Sequence, residues 1–248
     1  MNHAQHCDYL EVEVERFAGA FETTDDSAPV PSCPRWTVHD LSEHLGTIHR
    51  WAEHLVRVEA PTRVPSHDMG LELAPVNPAW LRRGGTTLVA TLRASNPDAP
   101  MWAWGADQHV RFWSRRQVHE TMMHRIDLEL AAGTVPFVEP VVASDAIDEF
   151  LMNLHRASYF SPKVKEIRGR NQTLRVTTTD ADGAWTIDID AAGFLVTHDE
   201  GPADAELIGP AQDLLMVLYR RRDLEGSAVE ARGDATLIDF WLSNSALE

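Results

Sequence analysis

The sequence predicts a two-domain chain, α followed by α/β: an N-terminal four-helix bundle over residues 1–160 and a small C-terminal α+β domain over residues 161–248. Three observations predict it. In the first part, apolar residues recur at the spacing that lines one face of a helix. Capping and breaking residues bracket those stretches. Near residue 165 the pattern changes to alternating and β-branched runs joined by glycine-containing turns.

The first helix covers residues 3–21, where Leu10, Val14 and Phe17 recur at helical spacing between Glu11, Glu13 and Glu15. A loop rich in Ser, Pro, Asp and Thr follows from Thr23 to Pro34. The second helix opens at Thr37, which stands three residues before Asp40 in the form of a capping box, and runs to about Glu59. Residues 60–78 are a long loop holding Pro61, Pro65, Pro75 and Pro78, and a loop this long inside a compact domain often borders a site. Asn77-Pro78 supplies the N-cap and first turn of a third helix ending near Ala94. A fourth helix spans about Trp113 to Ala132 and is stopped by Gly133 and Pro136. Four helices with such connections suit an antiparallel bundle, which places metal sites between facing helices. A fifth helix, from about Ala143 to Tyr159, leads out of it.

In the second domain, Thr173–Thr179, Ala184–Asp190 and Gly193–His198 read as strands, joined by turns at Asp180–Gly183 and Ala191–Gly193. Gly209-Pro210 opens a helix to about Arg221, followed by a short strand near Ala228–Arg232 and a last helix from about Ala235.

Composition excludes several function classes. A net charge of −16 argues against nucleic acid or an anionic membrane as partner. No apolar run is long enough to span a bilayer, and the N-terminus lacks the basic start and apolar core of a signal peptide, so a cytoplasmic protein is expected. Cys7 and Cys33 have no CxxC spacing, and no disulfide is expected.

The fourth helix carries the strongest chemical signal. Glu120 and His124 are four residues apart, which on a helix puts a carboxylate and an imidazole on one face, one turn apart. Two such groups can share a divalent ion. A zincin protease is excluded, because His119 and His124 are separated by about 140° around the helix instead of facing the same way. A third ligand is expected from another helix. The second helix offers His39, His44, His49 and His54, whose steps of five cannot share a face. Its apolar stripe includes Val38, Leu41, Leu45, Ile48 and Ala52. His44 points roughly inward beside Leu41, Leu45 and Ile48; His49 borders the stripe; His39 and His54 are more exposed. Pattern alone puts His44 ahead and leaves His49 open.

The segment from Trp36 to Trp51 (WTVHDLSEHLGTIHRW) resembles the first signature of the mycothiol-dependent maleylpyruvate isomerase family, part of the DinB-like superfamily of metal-binding bundles. The segment from Phe112 to Gly133 (FWSRRQVHETMMHRIDLELAAG) resembles its second, and Leu207 to Leu242, with the Gly233-Asp234 turn, is similar to its small C-terminal domain. The resemblance implies a DinB-like bundle with a zinc site, or that of another divalent metal, built from His44, Glu120 and His124 and keeping open positions. It implies mycothiol, the small thiol of actinobacteria, as cofactor or cosubstrate. It also implies a catalytic Arg from the C-terminal domain, placed at Arg221, with Arg220 and Arg222 as neighbours in the same run.

Such a site lowers the pKa of a bound thiol, so the chain needs no nucleophilic Cys of its own. In the isomerase reaction the thiolate adds to the C=C of maleylpyruvate, the adduct rotates, and elimination gives fumarylpyruvate. An S-transferase would use the same thiolate on another electrophile, in detoxification or specialised metabolism. The competing class is a non-catalytic metal- or ligand-binding module; a hydrolase using metal-bound water has only the metal to support it. The expected partners are mycothiol and a small electrophile, with the chain a monomer or homodimer. Arg221 would pair with a substrate carboxylate. His119 is expected to face solvent, with a supporting bond behind the ligands as its alternative, Arg115 and Arg116 to lie at the surface, with binding of a phosphate or carboxylate as theirs, and Trp102, Trp104 and Trp113 to be core, with a pocket wall as their alternative role.

Overall fold

The computed structural model describes residues 1–66, 75–199 and 201–246; part of the loop expected at 60–78 therefore lies outside the described residues. The chain divides into two compact units, Met1–Pro136 and Phe137–Glu248. The division falls earlier than the 160/161 boundary read from the sequence. The fifth helix lies in the second unit, because its apolar face packs on a helix of that unit.

In the first unit, α1 (His3–Thr23), α2 (Val38–Arg57), α3 (Pro78–Ala94) and α4 (Val110–Ala131) pack against one another: α1 lies on α3 and α4, and α2 lies on the same two helices. Local chemistry sets their starts. Asn2 and Gln5 form a capping box for α1, and Thr37 and Asp40 form one for α2. Asn77 caps α3 ahead of Pro78. Helix α4 begins at Val110, three residues before the expected Trp113, since the bridge between Pro100 and His109 delivers the chain there already turned. Leu10, Leu41, Leu45, Leu81, Leu88 and Trp113 are among the fully buried side chains of the core. Gly46 permits the closest approach of α2 and α3: a Cβ at this position would lie 2.0 Å from the Trp80 ring. Trp51, Trp102 and Trp113 form a cluster of tilted and edge-on rings. Trp113 is thus core and Trp102 packs on it, while Trp104 packs edge-on against Phe112.

In the second unit, α5 (Pro140–Asn153) passes into a 3-10 segment at Leu154–Tyr159, so the helix expected to reach Tyr159 starts and ends early. A five-stranded sheet follows, of β1 (Gln172–Thr178), β2 (Ala184–Ile189), β3 (Phe194–Thr197), β4 (Ala205–Gly209) and β5 (Glu230–Gly233), in the order β3-β2-β1-β4-β5. Only β1 and β4 run parallel, pairing Val176 with Leu207, whereas the other neighbours are antiparallel. Alternation puts Leu174, Val176, Ile187 and Leu207 in the core, under α6 (Ala211–Leu218) and α7 (Ala235–Ser245); α6 also packs on α5. Strand β4 was not expected from the sequence. It is short and joins its partner in parallel, so no hairpin turn announces it. Helix α6 ends three residues before the expected Arg221, because Arg220 takes a left-handed φ of 59°. Gly233 likewise has φ 78°, and a Cβ there would lie 2.1 Å from the Asp204 carbonyl oxygen, so β5 can close against β4 before the Asp234 cap of α7 only with glycine.

Candidate metal centre

Helices α2 and α4 bring His44, Glu120 and His124 together. One ligand atom from each lies within 4.8 Å of the others. Glu120 Oε1 is 3.2 Å from His124 Nε2 and 3.6 Å from His44 Nε2, and the two imidazoles stand edge to face with centroids 5.1 Å apart. Ligands held about 2.0–2.2 Å from a tetrahedral zinc are themselves roughly 3.3 Å apart, so this donor set fits such an ion.

Each group is held from outside the triad. Asp127, wholly buried, faces His124 Nδ1 at 3.3 Å and accepts a hydrogen bond from Ser32 Oγ at 2.5 Å. A proton on Nδ1 shared with Asp127 leaves the Nε2 lone pair directed at the centre. Glu120 Oε2 accepts a hydrogen bond from Arg116 one turn earlier. The Trp36 ring lies against His44 at 4.9 Å between centroids and reaches His124 at 6.4 Å, forming an aromatic wall.

The electrostatics follow from these contacts. Burial pushes the Glu120 carboxyl up, but the Arg116 charge, the hydrogen bond with His124 and the nearby His44 imidazole outweigh it and hold the group well below the usual carboxylate range. Burial acts in the opposite sense on His124; Asp127 and Glu120 overcome it and raise the imidazole to about 9. A cation is therefore favoured at the centre, whether a proton on His124 or a metal ion.

The other sequence candidates fall as follows. His49 is fully buried and sits deeper, with Nε2 2.9 Å from Thr121 Oγ1. Thr121 Oγ1 donates to the Gln117 carbonyl at 2.7 Å, so it accepts from His49 and that nitrogen carries a proton instead of a ligand lone pair. Burial drives the His49 pKa down to about 3. His39 lies near Asp26 and His54 contacts Arg57, both at the exposed side of α2. His119, expected in solvent, is fully buried with its ring 6.2 Å from that of His6, because α4 is enclosed on nearly all sides. Arg116, expected at the surface, is 6% exposed and bound to Glu120. Arg115 is partly buried.

Arg221 belongs to the second unit. It follows α6, its amide bonds the Met216 carbonyl, and its Nη1 donates to the Tyr219 carbonyl at 2.8 Å. Arg222 pairs with Asp213, and Arg220 is exposed. Asp127 and Trp36 are neighbours the sequence did not single out, and Arg116 is one for which the sequence favours a surface place over a bound carboxylate. Two carried a signal: Arg116 and Asp127 stand four residues before Glu120 and three after His124, on the same helical face.

Residues 8–129 match the sequence profile described as the mycothiol maleylpyruvate isomerase N-terminal domain, and residues 141–240 match the corresponding C-terminal domain. Among solved structures, the chain is similar to a mycothiol-dependent maleylpyruvate isomerase, with 15% identity and a TM-score of 0.56 over 95% of each chain. A histidine-to-alanine variant carrying the same enzyme name matches with 14% identity and a TM-score of 0.54 over 93% of each chain. At these identities the likeness concerns the fold. No curated protein matches the chain at a significant level. Among the described residues, no helix is long and apolar enough to cross a membrane.

Proposed function

The chain belongs to the mycothiol maleylpyruvate isomerase family, and from that premise we propose that it is a zinc-dependent enzyme using mycothiol, with a DinB-like four-helix bundle as its metal-binding domain. The observation that carries this reading is the meeting of His44, Glu120 and His124 from two helices at ligand spacing. When bound, the ion and the thiol would supply a sulfur nucleophile near neutral pH, able to add reversibly to an activated double bond or to attack another electrophile.

The chain's own residues do the rest. His44, Glu120 and His124 hold the ion and leave positions open. Asp127 orients His124, and Trp36 packs beside the two imidazoles as a side wall. Arg221 is the proposed partner of a substrate carboxylate; Arg222 is already committed to Asp213, and Arg220 turns outward at a left-handed position. Cis–trans isomerisation of a maleylpyruvate-like substrate is the favoured reaction. S-transfer to a different electrophile is the second reading, since the same donor set serves both. A non-catalytic metal-binding module would hold the same ion, and thiol-dependent turnover is what separates it from the enzyme reading.

The test has two steps. Untagged protein, wild type beside His44→Ala, is assayed for metal by plasma mass spectrometry, and the loaded wild type is then given maleylpyruvate with and without mycothiol. Near one zinc per chain, lost in the variant, with turnover only when mycothiol is present, is the expected result. A wild type that cannot be loaded overturns the metal-enzyme reading; metal without thiol-dependent turnover of any electrophile leaves the binding module in its place.

A further inference from the structure

The two oxygens of Glu120 are used differently. Oε1 faces both imidazoles, at 3.2 Å from His124 and 3.6 Å from His44. Oε2 is turned to the Arg116 guanidinium. Arg116 is itself buried and lies one helical turn before Glu120, so the backbone of α4 fixes their relative placement. We propose that Arg116 is a positioning residue that restricts Glu120 to coordination through Oε1 alone, and thereby keeps open the metal positions that a thiol and a substrate require. The inference rests on the metal-centre reading above and adds to it the way one ligand is denied its second oxygen.

The physical reason is a competition for one lone-pair set. A carboxylate can bind a cation through one oxygen or both. Two-oxygen binding by Glu120, with two imidazoles, would fill four positions, the usual complement of zinc. Against this stands a guanidinium that stays charged at all working pH values and donates to Oε2. Its bond to Oε2 is charge-assisted, and its burial spares it most of the screening that weakens surface pairs. A lysine would offer a point charge without the planar fork.

Cobalt(II), added alone, is the probe, in wild type, Arg116→Lys and Arg116→Met. The intensity of its visible bands falls as coordination number rises. The expected result is intense bands in wild type, a marked loss of intensity in Arg116→Met as Oε2 joins the ion, and partial loss in Arg116→Lys. Arg116→Met that is folded by circular dichroism and keeps wild-type band intensity overturns the proposal. A crystal structure of zinc-loaded wild type decides the matter without any substitution: one Glu120 oxygen at bonding distance supports it, and two overturn it. A wild type that takes up no cobalt overturns the metal centre itself, a failure distinct from an unchanged spectrum in the variants.

Discussion

Two of the polar clusters on helix α4 differ, one closed and one open. In the closed cluster, Arg125 donates to Glu13 on α1 at 2.5 Å and to Glu129 at 2.7 Å, while Arg16 pairs with Glu13 at 3.1 Å. Two guanidinium groups meet two carboxylates, so the charges balance within the protein. In the open cluster, Glu120 and Asp127 face a single guanidinium, Arg116, and the Nε2 atoms of two imidazoles lie 3.2 and 3.6 Å from Oε1. That cluster has one guanidinium for two carboxylates, and its second positive charge must be a titratable or exchangeable one, a proton on His124, whose pKa is raised to about 9, or a metal ion. The difference separates structure from chemistry: a buried ion pair complete in itself ties helices together, whereas a buried set with surplus donors of electron pairs demands a cation.

The comparison can be broken at several points. Glu120→Ala has the largest expected effect: loss of zinc and abolition of thiol-dependent turnover in a protein still folded by circular dichroism. Full activity with zinc retained would remove Glu120 from the ligand set and the open cluster with it. Arg125→Met strikes the closed cluster, where Arg125 and Glu13 are each 1% exposed. It leaves the buried Glu13 carboxylate with Arg16 as its remaining ion-pair partner and should lower stability by up to about 3 kcal/mol in urea unfolding, with metal binding by the folded protein intact; an unchanged midpoint would show that the pair does not tie α1 to α4. Asp127→Ala should weaken zinc binding by roughly 10–100-fold in chelator competition, and Asp127→Asn by less, since the amide oxygen can still accept from Nδ1. Equal affinity in all three proteins would separate Asp127 from the centre.

The smallest effect is expected from replacing both Cys7 and Cys33 by Ser. Cys7 is fully buried, and burial pushes its thiol up to about 11, so the thiolate forms only in strong alkali. Alkylation of Cys7 should therefore stay slow as pH rises to 9, and turnover with mycothiol should survive the double substitution. A dead double variant would place the reactive sulfur inside the chain.

Much of the fold could be read from local signals. The capping box of Thr37 and Asp40, the Asn77-Pro78 start of α3 and the turn ending at Gly183 are interactions within a few residues, and each produced the element it announces. Strand β4 and the ending of α6 escaped notice because their causes are distant: a parallel partner thirty-odd residues earlier for β4, and a left-handed turn set by packing for α6. The unit boundary escaped for the same reason, since a helix's own pattern states that it has an apolar face and not which neighbour covers it.

The candidate centre divides along the same line. Helical spacing alone put Glu120 and His124 on one face, and would have put Arg116 and Asp127 beside them, because a helix converts sequence distance directly into position. The choice between His44 and His49 was beyond that rule. Both approach α4, and only the packing of α2 on α4 sets His44 against Glu120 while giving His49 to the Thr121 hydroxyl. The sequence by itself determined the helices of the first unit, most elements of the second, their apolar faces and the pair of groups one turn apart on α4. Tertiary structure decided the contact of His44, which the pattern puts ahead, with Glu120, and the burial of Arg116 and His119, because those depend on which faces meet and how far water is kept from them.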